Sequence, residues 1–442
     1  MNKLYYSLPF VIIIPAAHAI EIEPMIYVDS VLYGDSVNGK GSEYLQEALG
    51  IYNVHTDDEA GKHAGHSHGG LEKGAHIRSI EAGAKVEVSE KLDGRVKAVV
   101  IPEEAEAEIE EAWVRYRPNA QTQLKAGKFL SNFGQHNQHP HEWDFVQQNL
   151  PTQMLLDGGL INKGLQAEWR PTVGKTQLQT GIELLEGGNK GIAGEQASVK
   201  NYVSTSKKTF DVQFAEQPKF PQVGHVYLKA KQAINDKHSV AGGVSYLHSR
   251  QHQELHHFHP GINDADHGLE GKANMWGIHT DYNYESGKAA GVGDFNLKAE
   301  YLRQNKDLHL RFHETKPWLV NQPRDLYVDG YTVQGTYKVA PKWQLGLRHE
   351  RVGATHEARR PSAPPFPTQT SYFDDMKRNT LAVTWQPKKQ HQVRLELARS
   401  HVNVGEDINN DGKDDSVKKK FNQAMLQYQW SLDAGHEHHH DH

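Results

Sequence analysis

Apolar and polar residues alternate along most of this chain with the period of two that sends neighbouring side chains to opposite faces of a sheet. Residues 293–303 show it cleanly: Phe295, Leu297, Ala299 and Tyr301 fall on one face, and Asp294, Asn296, Lys298 and Glu300 on the other. The same alternation sets Trp343, Leu345 and Leu347 against Gln344, Gly346 and Arg348, and Val393, Leu395 and Leu397 against Arg394, Glu396 and Ala398. Between 223 and 235 it starts raggedly at Val223, His225, Val226 and Tyr227. It then settles, with Leu228, Ala230 and Gln232 opposite Lys229 and Lys231. Helical spacing does not account for these runs.

The pattern predicts about sixteen strands, at 22–33, 76–90, 94–101, 105–117, 121–130, 159–171, 175–187, 223–235, 238–250, 271–285, 293–305, 326–340, 342–352, 376–387, 390–404 and 418–432. Their connections alternate between short turns and longer segments. The short ones, such as Leu92-Asp93-Gly94, Arg117-Pro118-Asn119, Asn235-Asp236-Lys237, Ala340-Pro341-Lys342 and Pro387-Lys388-Lys389, carry the residues that turn geometry demands. The longer ones fall at 34–75, 134–158, 188–222, 251–270, 306–325, 353–375 and 405–417, with 102–104 the short exception. This alternation predicts an all-β fold, a transmembrane antiparallel up-and-down β-barrel, porin-like, with both termini on the periplasmic side. A soluble sandwich of equal strand count would rarely keep short and long connections at opposite ends. Strand-end aromatics Trp113, Trp169, Trp276, Trp385, Tyr428 and Trp430 fit interfacial girdles.

Composition sharpens this picture. An apolar fraction of 37% and a mean hydropathy of -0.72 are too polar for a large all-round core, yet 8 Trp, 18 Tyr and 39 Gly argue against disorder. A wall that is apolar only on its outside reconciles the two. A formal net charge of -6 excludes a general basic footprint for nucleic acid. Residues 1–19 read as a cleaved signal peptide: Lys3, an apolar run from Leu8 to Ile14, then Ala17-His18-Ala19. The domain organisation expected is therefore signal peptide 1–19, outer-membrane barrel 20–432 and a His-rich tail 433–442. With no cysteine, any metal must be held by imidazole, carboxylate or water.

Histidine is the anomaly, at 29 residues. His55, His63, His66, His68 and His76 cluster in the first long connection, and His252, His256, His257, His259 and His267 near 251–270. His436, His438, His439, His440 and His442 cluster in the tail. Imidazole beside carboxylate suits zinc, copper or nickel, so these are the candidate metal ligands, with zinc as bound ion or cargo. The bland alternative is a solvated polar segment that binds metal incidentally. The segment 134–158 carries His136, His139, His141, Glu142 and Asp144 beside Trp143, Phe145 and Val146. It is a candidate pore constriction, against the alternative that its aromatics merely anchor it to the wall. Asp407, Asn409 and Asp411 resemble the start of a calcium loop, although Lys418 stands where a bidentate Glu is expected. No catalytic constellation stands out, so the chain reads as a non-enzyme.

From Gly127-Lys128-Phe129-Leu130-Ser131-Asn132-Phe133-Gly134 through His139-Pro140-His141-Glu142-Trp143-Asp144-Phe145 to Gly164-Leu165-Gln166-Ala167-Glu168-Trp169, the chain resembles the short zinc-regulated outer-membrane proteins of Gram-negative bacteria. These are often labelled TonB-dependent receptors. More distantly it resembles the phosphate-selective porin group. The first resemblance implies production under zinc shortage and admission of zinc to the periplasm. A plug domain ahead of a 22-stranded barrel has no room here, so the TonB part of the label is not carried over. The expectation is an outer-membrane channel or receptor for zinc or a similar divalent metal. Its partners would be membrane lipid, metal ions, a periplasmic zinc-binding protein and sister copies in a homotrimer. The alternatives are a general or anion-selective porin with incidental histidines, favoured by lysines and arginines lining the lumen, and a surface metal buffer or adhesin.

Overall fold

The structure is a computed structural model. It describes residues 20–50, 71–102, 106–193, 198–204, 206–216, 218–256, 265–361, 365, 367–372, 375–406 and 415–433. Residues 1–19, expected to form a signal peptide, His55, His63, His66, His68, His257, His259, the candidate calcium ligands Asp407, Asn409 and Asp411, and the tail histidines lie outside the described residues.

Sixteen antiparallel strands close into one barrel. They are β1 (Glu21–Asp35), β2 (Gly74–Ser89), β3 (Leu92–Ile101), β4 (Glu106–Asn119), β5 (Thr122–Leu130), β6 (Ile161–Trp169), β7 (Thr176–Leu185) and β8 (Val223–Asn235). Then follow β9 (His238–His256), β10 (His267–Tyr284), β11 (Phe295–His313), β12 (Pro323–Ala340), β13 (Trp343–Pro361), β14 (Met376–Lys388), β15 (His391–Glu406) and β16 (Asp415–Asp433). Each pairs with its sequence neighbours, and β1 closes the ring by pairing with both β2 and β16. Closure leaves no sheet edge, which a hydrocarbon medium would not tolerate. Short pieces at Thr172–Val173 and Thr368–Tyr372 add to this sheet, and a small hairpin, Val199–Val203 with Thr209–Val212, stands apart from it.

The alternation behaves as the sequence predicts. Leu297, Leu347, Leu381 and Leu397 are exposed on the outer wall, while Glu300, Arg348, Glu350, Arg394 and Glu396 are buried on the inside. Asx turns shape two of the tight ends: Asn119 Oδ1 accepts from the backbone N–H groups of Gln121 and Thr122, and Asn235 Oδ1 from those of Lys237 and His238.

Three expectations are corrected. Strands run further at the long-connection end than predicted: β9 reaches His256, β11 His313 and β13 Pro361. Past the lipid belt the outward residues turn polar and the sequence alternation fades, but the backbone ladder continues, for example from His252 opposite Gly271 to His256 opposite His267. His252 and His267 therefore sit in strands, buried, rather than in an open loop. His76 is likewise in β2, its ring against the Glu72 carbonyl oxygen. Trp113 does not join an outer girdle. A bulge at Lys97/Ala98 puts Glu110 and Glu111 against one residue of β3 and reverses the phase of β4. Trp113 thus lies inside, under the guanidinium of Arg115 and the ammonium of Lys125, whereas Trp169, Trp276, Trp385 and Tyr428 are exposed outside.

Inside the long-connection half, an apolar cluster packs the inward loop against the wall. It joins Leu150, Met154, Leu155 and Leu160 of the third long connection to wall residues Phe129, Leu185, Leu247, Met275, Leu302, Val352, Met376 and Phe421.

Candidate functional site

The third long connection, residues 131–160, folds inward and is fastened to the wall on nearly every side. Its neck is set by the segment around Ser131-Asn132-Phe133-Gly134. Ser131 Oγ donates to Glu183 at 2.5 Å, and the Asn132 amide donates to Glu168 and to Tyr227 Oη, both at 2.9 Å. Asn137 braces the two ends of the loop, donating to the Ser131 and Leu160 carbonyls and accepting from the Leu160 N–H. Gly134 has φ +66, and a Cβ there would collide with the Glu300 carboxylate. The sharp entry into the lumen thus requires glycine on two counts.

The candidate constriction residues then divide among different walls. His136 Nδ1 is 2.9 Å from Glu300 Oε2 on β11. Asp144 Oδ2 takes Lys298 Nζ at 2.9 Å and the Gln334 amide at 2.7 Å, on β11 and β12. Glu142 caps its own short helical turn, accepting from the His139 N–H at 3.0 Å. His139 and His141 are brought together: their rings stack at 5.5 Å, and His141 also stacks on Tyr27 at 4.0 Å. Around them, on β2 to β4, stand Glu81, Glu110, Glu111 and Lys97. The Lys97 ammonium lies 3.0 Å from Glu81, 2.5 Å from Glu110 and 2.8 Å from His139 Nδ1. His139 Nε2 is 3.3 Å from Glu111.

Burial opposes a charge on His139, but its hydrogen bonds to Glu110 and Glu111 outweigh that penalty, with Lys97 working against them. Its pKa is pushed up to about 9. Protonation at Nδ1 requires the Lys97 contact to loosen. The three carboxylates are thus met by Lys97, by Arg95 at 3.2 Å from Glu111 and by the imidazole of His139, and do not form a bare acidic ring.

This cluster separates two spaces. A cavity of about 260 Å³, reached past Gly158, Gly159 and Gly187, has Glu110 and His139 on its lining. A vestibule of about 1260 Å³ toward the short-turn end has Glu81, Arg95, His141 and Glu142 on its lining, and Pro140 borders both.

Beyond Trp143 the loop runs along β12 to β16 and β2, where arginines hold its backbone. Arg394 donates to the Trp143 carbonyl at 2.9 Å, Arg78 to that of Val146 at 2.6 Å, Arg348 to that of Gln147 at 2.9 Å and Arg378 to that of Gln148 at 2.6 Å. Glu396 accepts from the Val146 N–H and Glu350 from that of Leu150, so these four carbonyls and two amides find charged partners away from water. Asn149 then caps a short helix, α1 (Leu150–Leu155), through the Thr152 N–H.

Sequence reasoning did not single out these arginines or Glu300 and Glu350. The available signal was a charge at an inward position of an alternating strand, already visible at Arg348, Arg394 and Glu396. Of the candidate metal ligands, His252 lies against Glu254, which also takes Lys306 at 2.6 Å, and His267 stacks on His313 at 5.9 Å. Among the described residues no group of three or more metal-ligating side chains is placed to hold an ion.

The barrel is similar to solved outer-membrane proteins. Against the loop L8 deletion mutant of OmpT of Vibrio cholerae the TM-score is 0.51 at 12% identity, covering 94% of this chain and all of the other. The trimer form of in-vitro folded OmpT gives 0.51 at 13%, with 94% and 100% coverage. At such identities the likeness speaks for the fold. An uncharacterised protein of Aquifex aeolicus is 24% identical over 376 residues, 84% of this chain and 72% of that one. The family model of phosphate-selective porin O and P matches residues 74–430, and this chain, an outer-membrane porin, belongs to that family.

Proposed function

We propose that the chain is a passive channel that favours small anionic solutes, in place of the zinc-uptake route. The observation that carries this reading is the lumen wall formed by β4, β5 and β8. Lys125 stands over Trp113 and Phe129, directly opposite Arg115, and Lys229 is held by the Gly134 carbonyl. Among the described residues neither lysine forms an ion pair. The surrounding carboxylates have other partners: Glu300 accepts from the Gln135 N–H and lies against His136, Glu168 accepts from Gln123, Asn132, Gln179 and Tyr227, and Glu183 from Ser131, Gln166 and the Asn132 N–H. The wall therefore turns ammonium groups toward a passing solute while its carboxylate oxygens are turned to the protein's own donors, an arrangement that favours close contact with an anion. The inward loop narrows the route beside this wall. Assembly as a homotrimer belongs to the same reading.

The test is the reversal potential in a planar bilayer under a potassium chloride gradient. The wild type should favour chloride, and Lys125→Glu with Lys229→Glu should shift selectivity toward potassium without changing heat-modifiable mobility. A cation-selective wild type would overturn the proposal.

A further inference from the structure

The outer face of β11 to β16 is ordered in rows by the strand register. One row is apolar, with Leu297, Leu347, Leu381 and Leu397 aligned across four strands and Gly335 and Ala424 between or beside them. Two residues further toward the long-connection end, the row reads Val333, His349, Asn379, Arg399 and Asn422. Two further still it reads Tyr301, Tyr331, Arg351, Lys377, His401 and Lys420. All point outward, because their chain neighbours Glu350, Met376, Arg378, Ser400, Val402 and Phe421 are buried inside.

Basic side chains directly opposite one another in an antiparallel ladder repel and destabilise it. Here Arg351, Lys377 and Lys420 share one row and Arg399 flanks it. Asp375 meets only part of this charge, lying 2.5 Å from Arg351 and 2.9 Å from Lys377. Arg399 and Lys420 are exposed, and neither forms an ion pair among the described residues. Immediately toward the membrane centre, Gly335 and Ala424 hollow the surface into a groove of about 1090 Å³. Leu347, Leu381 and Leu397 line it, together with Arg399 and Asn422.

We infer that this face binds a phosphate-bearing glycolipid of the outer leaflet, its acyl chains in the groove and its headgroup phosphates on Arg351, Lys377, Arg399 and Lys420. Long connections face outward in barrels of this class, so the cationic row lies where the outer leaflet passes from hydrocarbon to headgroup. A phosphate monoester supplies the negative charge that the row lacks, and arginine and lysine are its usual protein partners. An apolar groove beside the cations fits an amphiphile, not a free ion. None of these side chains faces the lumen, so the inference stands or falls apart from the anion-channel reading.

The experiment uses the full-length protein in detergent, with a bisphosphorylated lipid A and its dephosphorylated form as probes, read by native mass spectrometry. The wild type should retain the bisphosphorylated lipid, while the triple variant Lys377→Gln, Arg399→Gln, Lys420→Gln should bind it about ten-fold more weakly. The dephosphorylated form should bind both proteins equally poorly. Equal binding by wild type and variant overturns the inference, as does indifference to the phosphates or displacement by millimolar inorganic phosphate. A variant that loses its oligomeric state with its lipid content unchanged assigns the face to a second copy and overturns it too. Heat-modifiable mobility reports folding. Should the triple variant misfold, Arg399→Gln and Lys420→Gln singly, both at exposed positions, carry the same comparison.

Discussion

His136 Nδ1 lies 2.9 Å from Glu300 Oε2, joining the start of the inward loop to a strand 164 residues away along the chain. Glu300 also accepts the Gln135 N–H at 2.5 Å, so one buried carboxylate fixes the loop's direction at its entry. Its replacement by Ala should free this end, raising open-channel noise in planar bilayers while the sixteen strands stay folded. The loss of a charged, buried hydrogen-bond partner costs about 1–3 kcal/mol. Unchanged noise would show that the loop is held elsewhere.

Arg378 and Glu350 are both fully buried, with Arg378 Nε 2.7 Å from the Glu350 carboxylate. Arg378→Ala takes one of two guanidinium partners from that carboxylate, Arg348 remaining 3.1 Å away, and should cost about 1–3 kcal/mol, read as a lower midpoint for the heat-modifiable transition. Replacing both Arg378 and Glu350 by Leu should not recover the loss, because buried Arg348 is then the charge left without its carboxylate. A double variant as stable as the wild type would contradict this account.

His139 gives the lumen a pH dependence. Its pKa is raised to about 9, so the stabilisation it contributes is fully present below the unfolded value of about 6.5 and is lost as pH rises through about 9. The wild-type unfolding midpoint should fall between pH 6.5 and 10 more steeply than that of His139→Gln. Parallel profiles for the two proteins would remove His139 from the explanation.

The histidines outside the described residues carry their own test. Neutral imidazole binds zinc and imidazolium does not, so any binding by His63, His66, His68 and the tail should be strong near about pH 7.5 and largely gone by about pH 5.5. Calorimetry giving equal binding at both values would exclude histidine ligation. Replacing His63, His66 and His68 by Ala should leave ion selectivity unchanged, since the anion-channel reading uses none of them.

The local alternation of side chains determined a great deal here by itself. Strand number, antiparallel order, the segregation of turns and long connections, and the inward set of Lys298, Glu300, Arg348, Arg394 and Glu396 all follow from a period of two, because that period is a property of the extended backbone. The same rule failed at Trp113, where one bulge reverses the phase, and bulges leave no reliable mark in the sequence. It also failed past the lipid belt, where His252 and His267 continue a ladder held by backbone groups that carry no side-chain pattern.

What the tertiary structure alone decided is which charges meet. His136, His139, His141 and Asp144 lie within nine residues of one another, and their proximity along the chain suggested a single pore constriction. Barrel closure instead distributes them to Glu300, to the Lys97 cluster and to Lys298, residues on opposite walls. A loop crossing a lumen meets whichever strands closure has brought around it, and closure is a property of all sixteen strands together. Sequence spacing holds no record of those cross-lumen distances, so the charge pairing at the constriction, and the lysines beside it that form no ion pair among the described residues, could be read only from the folded chain.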